Sequence, residues 1–340
     1  MAFNLSSYKH FAYRNSHNLE DFQISENFVY IITSNEIYEY KSCSSTFISL
    51  PLPFAPVSSF VWNQMFFICS KHDLYYFRSD LKHLIKTVPL TLNFEFQGNL
   101  MSIDKKRVRL VDLATLQSNI HLDSTKDIMS NSHNQKLTEA QVQDTIVKEY
   151  SFDLDNGICS AYTVFNSKIV LGFESGFIGW IQRDFGNSII KINEVAKIDE
   201  PIISIAIACG LVFVSTIGKI LRFPIQDERL LAKETALKSS DDEQNTSNIK
   251  NKLECLNLKE HGKIFTDIRC KKILVFENLL IAQQEKKITF LSMDLEIITC
   301  SIFQLEIKTT KVINGHLFIG FSCGLLVDFD LKSVRKKISG

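Results

Sequence analysis

The sequence predicts an all-β chain of seven similar sheets, a seven-bladed β-propeller. Three observations lead there. Hairpin-like segments recur along the chain, their apolar positions keep one register, and the two overlong intervals between them are filled by polar insertions.

The recurrence shows first in residues 169–176 (IVLGFESG) and 317–324 (LFIGFSCG), each an apolar strand that runs into a turn and a second strand. The same pattern of strand, polar turn and strand lies around Asn35, His72, Lys106, Gly176, Gly218, Lys286 and Gly324. Two positions after these anchors stand Ile37, Leu74, Val108, Ile178, Ile220, Ile288 and Leu326. Five positions after them stand Tyr40, Phe77, Val111, Ile181, Phe223, Leu291 and Phe329. All fourteen are apolar in a chain that is 45% apolar, a coincidence on the order of one in 10⁵ before allowing for the choice of register.

Successive anchors are 37, 34, 70, 42, 68 and 38 residues apart. The two long intervals contain residues 118–145 and 227–254, rich in Ser, Asn, Lys and acidic residues and too poor in apolar groups to offset the entropy of ordering. Without these insertions about 40 residues remain per unit, the period of a four-stranded blade. The expected organisation is a single domain over 1–340 with polar loops at about 118–145 and 227–254. Residues 137–147 and 230–237 are candidates for small helices that lie almost wholly in those loops.

Composition excludes several classes. At 340 residues, 22% charged and mean hydropathy +0.02, the chain can bury a large core. Its 38 basic and 38 acidic residues cancel, so no overall field recruits nucleic acid or an anionic membrane. Two basic triplets, Lys105–Arg107 and Arg335–Lys337, lack interleaved aromatic residues and read as solvated. The uncharged stretch Pro201–Gly218 approaches a membrane span in length. Its β-branched residues and the central Cys209-Gly210 pair predict two buried strands joined by a turn instead. The N-terminus shows no secretory signal, so a cytosolic or nuclear setting is expected. In such a reducing setting the eight scattered cysteines (Cys43, Cys69, Cys159, Cys209, Cys255, Cys270, Cys300, Cys323) read as small buried hydrophobes.

Catalytic chemistry requires a convergent cluster, and none is legible. The histidines (His10, His17, His72, His83, His121, His133, His261, His316) fall mostly in expected loops or turns. Asp153 and Asp155 near Gly157 read as a turn rather than a calcium site. Gly172, Gly176 and Gly179 lack the Lys-Ser/Thr of a phosphate loop and belong to a hairpin. No catalytic residue, cofactor or metal site is expected, and the partner-binding residues are left open. Repeat propellers of the WD type usually close each blade with Gly-His and Trp-Asp pairs. Here only Val111-Asp112 and Phe329-Asp330 keep an Asp, and Gly315-His316 sits inside a hairpin, so the chain reads as a degenerate WD40-like propeller. A rigid scaffold of this kind displays side chains to other proteins. The insertions, and some of the 26 Phe residues, are its candidate contacts.

Residues 169–178 (IVLGFESGFI), 201–205 (PIISI) and 220–225 (ILRFPI) come first in a longer order of features. They are followed by a polar insertion, by 256–262 (LNLKEHG) and by a closing strand near Phe329. This order over about 165–330 resembles the ASTRA-associated protein 1 family of fungal WD-repeat proteins. The resemblance implies a non-catalytic, nuclear subunit, present also in the cytoplasm, that works with the Tel and Tti co-chaperone assembly, RuvB-like AAA+ ATPases and PIK-related kinases in kinase maturation and chromatin regulation. It transfers no functional residue, because the matched positions pack strands. The alternative is a propeller subunit of another machine: a nuclear-pore or coat scaffold, a ubiquitin-ligase receptor, or an accessory subunit of an RNA-modifying enzyme.

Overall fold

The computed structural model describes residues 10–11, 18–25, 28–41, 47–71, 73–77, 81–86, 92–104, 107–118, 147–152, 157–181, 189–225, 263–266 and 268–332. Blade 1 is β2 (Leu19–Ile24), β3 (Phe28–Thr33), β4 (Glu36–Lys41) and β5 (Phe47–Pro51); blade 2 is β6 (Ser58–Trp62), β7 (Met65–Cys69), β8 (Asp73–Phe77) and β9 (Leu81–Lys86). Blade 3 is β10 (Leu92–Phe96), β11 (Asn99–Ile103), β12 (Arg107–Asp112) and β13 (Val147–Phe152), with the two-residue β17 (Ile189–Ile190) added along β13. Blade 4 is β14 (Cys159–Phe165), β15 (Lys168–Phe173), β16 (Phe177–Ile181) and β18 (Ile192–Lys197). Blade 5 is β19 (Ser204–Ala208), β20 (Leu211–Ser215), β21 (Lys219–Pro224) and β22 (Lys263–Thr266); blade 6 is β23 (Lys272–Phe276), β24 (Leu279–Gln283), β25 (Lys287–Ser292) and β26 (Ile297–Ile302). Blade 7 is β27 (Ile307–Ile313), β28 (His316–Phe321) and β29 (Leu326–Asp330), and its outer strand is the N-terminal β1 (His10–Phe11), with His10 opposite Val327 and Phe11 opposite Leu326. The fold is an all-β, seven-bladed β-propeller.

The anchors Asn35, Gly176, Gly218, Lys286 and Gly324 fall where second and third strands meet, and His72 and Lys106 lie outside the described residues. The two predicted strands of 201–218 are β19 and β20, with both Cys209 (φ 51°) and Gly210 (φ 73°) left-handed in the turn between them. Asn63-Gln64, Gln97-Gly98, Asn166-Ser167 and Asn314-Gly315 repeat that conformation between first and second strands, the backbone that matches the twist of a two-residue hairpin. At the second-to-third turns, Thr33 Oγ1, Ser70 Oγ and Asp104 Oδ1 accept the N–H of Glu36 (3.0 Å), Asp73 (2.9 Å) and Arg107 (2.8 Å). These side-chain caps are polar locks of a different chemistry from Gly-His and Trp-Asp.

The insertions interrupt blades 3 and 5 between their third and fourth strands. Of residues 118–145 only Ser118, which ends a helical turn over 113–118, is among the described residues, and 227–254 and both candidate helices lie outside them except for Val147 in β13.

Two compact units make up the chain. One, chiefly residues 156–184 and 190–302, carries blades 4, 5 and 6; the other, residues 4–155, 185–189 and 303–340, carries blades 1, 2, 3 and 7. Within each unit the core lies in the seams between neighbouring sheets. In blade 1, Val29 and Ile31 fill the seam with blade 7, while Tyr30 and Ile32 fill the seam with blade 2. Tyr30 stacks on Phe66 across that second seam at 4.4 Å. In blade 5, Val212 and Val214 face blade 4 and Phe213 faces blade 6. A second strand buried on both sides has no polar face, so its sequence is apolar without alternation.

Gly176 and Gly218 occupy equivalent turns but differ in surroundings. A Cβ on Gly176 (φ +79°) would lie 1.9 Å from the carbonyl oxygen of Ile198, whereas one on Gly218 would meet nothing within 4 Å. Gly176→Ala is expected to lower unfolding free energy by about 2–4 kcal/mol, because a backbone oxygen cannot yield and the left-handed φ is strained. Gly218→Ala is expected to change it by less than about 0.5 kcal/mol. Urea midpoints of the two variants measure the difference.

Candidate interaction surface

Two features bear on function: a polar clasp between first strands, and exposed apolar residues where the chain crosses from one blade to the next.

The clasp lies in the unit of blades 1, 2, 3 and 7. Asp21 on β2 accepts the Ser59 hydroxyl from β6 (2.6 Å) and the Lys311 ammonium from β27 (2.9 Å). Gln23, two residues along β2, donates to Asp21 (3.2 Å), to Ser59 Oγ (2.8 Å) and to the Ser59 carbonyl (2.5 Å). Lys311 also donates to the Phe22 carbonyl (2.5 Å) and lies 5.2 Å from the centre of the Phe22 ring. Three blades are thereby joined through groups that satisfy one another. This is joinery rather than an open set of catalytic groups.

The exposed apolar residues lie in the other unit. Ile202 is buried and its neighbour Ile203 is 38% exposed, since successive side chains of an extended segment point opposite ways. The Ile203 N–H donates to the Ser215 carbonyl (2.9 Å), and the Ser160 hydroxyl donates to the Ile202 carbonyl (2.6 Å), so the crossover is fixed to both blades 4 and 5. Ile217, in the turn between β20 and β21, is 66% exposed, and Ile158, just before β14, is 39% exposed. Beside them Lys219 pairs with Glu200 at 2.5 Å, and that hydrogen bond holds the Glu200 carboxyl below its ordinary range. Uncovered β-branched side chains near a paired charge are the composition expected of a protein-binding surface.

Several expectations need correction. Among the residues whose exposure is described no Phe is exposed; the exposed large apolar side chains are mainly Ile and Val. His10, His83 and His316 stand in strands rather than loops, and His316 Nδ1 lies 2.8 Å from Asp328; the other histidines lie outside the described residues. Cys69, Cys159 and Cys270 are buried, and burial pushes their thiols up to about 11, 12 and 12. Cys209 and Cys323 are exposed in turns, contrary to the buried reading, and Cys300 is half-buried. Cys43 and Cys255 lie outside the described residues.

Of the basic triplets only Arg107 is described, paired with Asp104 at 2.8 Å; Asp153 and Asp155 are outside. Gly172 and Gly179 stand in β15 and β16, with Gly176 in the turn between them, as a hairpin requires. Asp112 caps the helical turn over 113–118, accepting the N–H of Ala114 (2.9 Å) and of Thr115 (3.2 Å). Burial alone would raise its carboxyl, but these bonds and the Thr115 hydroxyl hold it below the usual range. Asp330 likewise accepts the Lys332 N–H (2.9 Å). Among the described residues no three His, Cys, Asp or Glu side chains gather as a metal site, and no helix is long and apolar enough to cross a membrane.

No family model matches the chain, and no curated protein matches it. Solved structures do. It is similar to the WD40 β-propeller domain of Doa1, with TM-score 0.59 and 10% identity over 97% of this chain and 98% of that one. It is similar to virginiamycin B lyase from Staphylococcus aureus, with TM-score 0.59 and 12% identity over 95% of this chain and 98% of the lyase. BamB from Moraxella catarrhalis follows with TM-score 0.52 and 8% identity over 90% and 81%. The likeness is one of fold. A WD40 domain and a lyase share it, so function has to be argued from the surface.

Asp21→Ala removes the acceptor shared by Lys311, Ser59 and Gln23 and is expected to cost about 1–3 kcal/mol of stability by chemical denaturation. Maleimide labelling with peptide mapping is expected to mark Cys209 and Cys323 in the native protein. Cys69, Cys159 and Cys270 should be marked only after unfolding. Their folded pKa values are raised, so their contribution is complete below the ordinary thiol pKa near 9.0. It is lost as pH rises from there through about 11–12, and alkaline unfolding should expose them to label in that window.

Proposed function

We propose that the chain is a non-catalytic adaptor that presents Ile158, Ile203 and Ile217 to a protein partner. The observation that carries this reading is exposed isoleucine at a crossover whose backbone is hydrogen-bonded to both neighbouring blades. The backbone that displays Ile203 is already anchored, which lowers the ordering cost of association. The balanced charge of the sequence fits contact by shape and apolar surface rather than by long-range field. A WD40 domain with the same fold over nearly the whole chain supports the scaffold role.

The finer setting is the assembly implied by the ASTRA-associated protein 1 resemblance: a nuclear, chromatin-regulating complex containing Tel and Tti co-chaperones, RuvB-like AAA+ ATPases and PIK-related kinases. The protein serves there as a subunit with no chemistry of its own.

Affinity purification of the tagged chain from native extract, compared with an Ile203→Lys/Ile217→Lys variant, tests both levels. RuvB-like ATPases and co-chaperone subunits should accompany the parent protein and fall about tenfold or more with the variant, the loss expected for a central contact. Thermal unfolding should be unchanged, since both side chains are exposed. Coat components, a cullin or a methyltransferase in their place would replace the assignment. Partners retained in full by the variant would remove Ile203 and Ile217 from the interface.

A further inference from the structure

The far edge of a sheet's outer strand can offer N–H and C=O groups to any strand that fits, and folded proteins blunt such edges with charge, proline or cover. Five of the outer strands carry such a device in their sequence or pairing. Strand β9 carries Lys82, His83 and Lys86, β18 carries Glu194 and Lys197, and β22 carries Lys263. Strand β5 ends on Pro51, and β13, with Lys148 and Glu149, is also covered by β17.

Strand β26 has none of these devices. Its sequence is Ile-Ile-Thr-Cys-Ser-Ile, and among the described residues it pairs on one side only, with β25. Ile297 is 56% exposed, and Ile302, at 76%, is the most exposed large apolar side chain described. A β-bulge at the start of the strand leaves Thr299 to Ile302 in regular register with β25. Uncharged, β-branched and open, this edge is a template for strand addition.

What the edge accepts can be argued from within the molecule. The outer edge of β13 takes an added strand, and that strand is Ile189-Ile190, uncharged and β-branched. A second β26 brings the same chemistry. The formal net charge of zero puts no long-range repulsion between two copies.

We propose that β26 pairs antiparallel with β26 of a second copy, giving a two-fold dimer through a continuous sheet. In such a pair opposite residues share a face, so the register is symmetric about a single residue. Centred on Cys300, it sets Thr299 against Ser301 and covers Ile302 with Ile298 of the other copy. The two Cys300 Cα atoms then stand about 4.5–5.5 Å apart, within the span of a disulfide.

The test uses the purified full-length chain. Light scattering or sedimentation over rising concentration should show the mass climb from 38.9 kDa toward twice that value. Ile302→Lys alters an exposed side chain and Cys300→Lys sets two cations face to face; each should hold the protein at the single-chain mass with unchanged circular dichroism. In a Cys209→Ser/Cys323→Ser background, diamide takes two electrons and two protons from the paired thiols. Mass spectrometry should then find a Cys300–Cys300 cross-link that dithiothreitol reverses. A single-chain mass at every concentration, a dimer undiminished by Ile302→Lys, or a cross-link only at other cysteines would each overturn the proposal.

Discussion

Neighbouring blades within each unit must fill the seam between them, and that constraint shapes both the sequence and the surface. The residues two positions past the seven turns (Ile37, Leu74, Val108, Ile178, Ile220, Ile288 and Leu326) are each exposed by no more than 1%. They are fully buried side chains of the third strands, in apolar surroundings where a polar group would need a partner. The positions five past the turns tolerate more. Phe77, Val111, Ile181, Phe223 and Leu291 are buried, while Tyr40 and Phe329 are half-buried. The stricter position is the one nearer the turn, which explains why its residues are all aliphatic and the later one admits aromatic rings.

Local pattern therefore carried the fold. The turns, the third strands and the hairpin at Cys209-Gly210 depend on residues a few places apart, whose preferences survive in a single sequence. The features that escaped notice join residues far apart. The clasp links Asp21 to Ser59, 38 positions on, and Lys311 to Phe22, 289 positions back. Strand β1 closes blade 7 with only two residues, and β17 joins blade 3 with two more, too few for a periodic signal to form. The Asp residues at the expected dipeptide positions were legible as residues but not as caps, because the helical turns they cap begin only after the strand has ended.

The interaction surface was hidden for a related reason. Phe is abundant, but a large ring contributes most when it fills a seam, as Phe60 and Phe67 do at 5.0 Å, and the Phe rings whose exposure is described are buried or half-buried. Isoleucine serves both roles. Ile202 and Ile203 are chemically identical neighbours, one buried and one displayed, and only the direction of the extended chain separates them. A sequence shows the pair and not the direction.

The glycine shared by the two most similar segments shows how the seam reaches the surface. Gly172 in β15 and Gly320 in β28 stand at the same place in their repeats, and neither has a left-handed backbone. A Cβ on Gly172 would come within 2.7 Å of Ile202 Cγ2, and one on Gly320 within 2.4 Å of Leu19 Cδ2. Each glycine is a notch that admits the apolar residue with which the chain arrives at the next blade. The amides of those arriving residues reach back to the second-strand end of the previous blade, Ile202 to the Phe173 carbonyl and Leu19 to the Ser322 carbonyl, both at 3.4 Å. The repeated Gly-Phe pair is thus an inter-blade joint rather than a turn signal. Where the joint anchors Ile202, the following residue is forced outward in a fixed direction, so the side chain offered to a partner is placed by the same packing that holds the blades together.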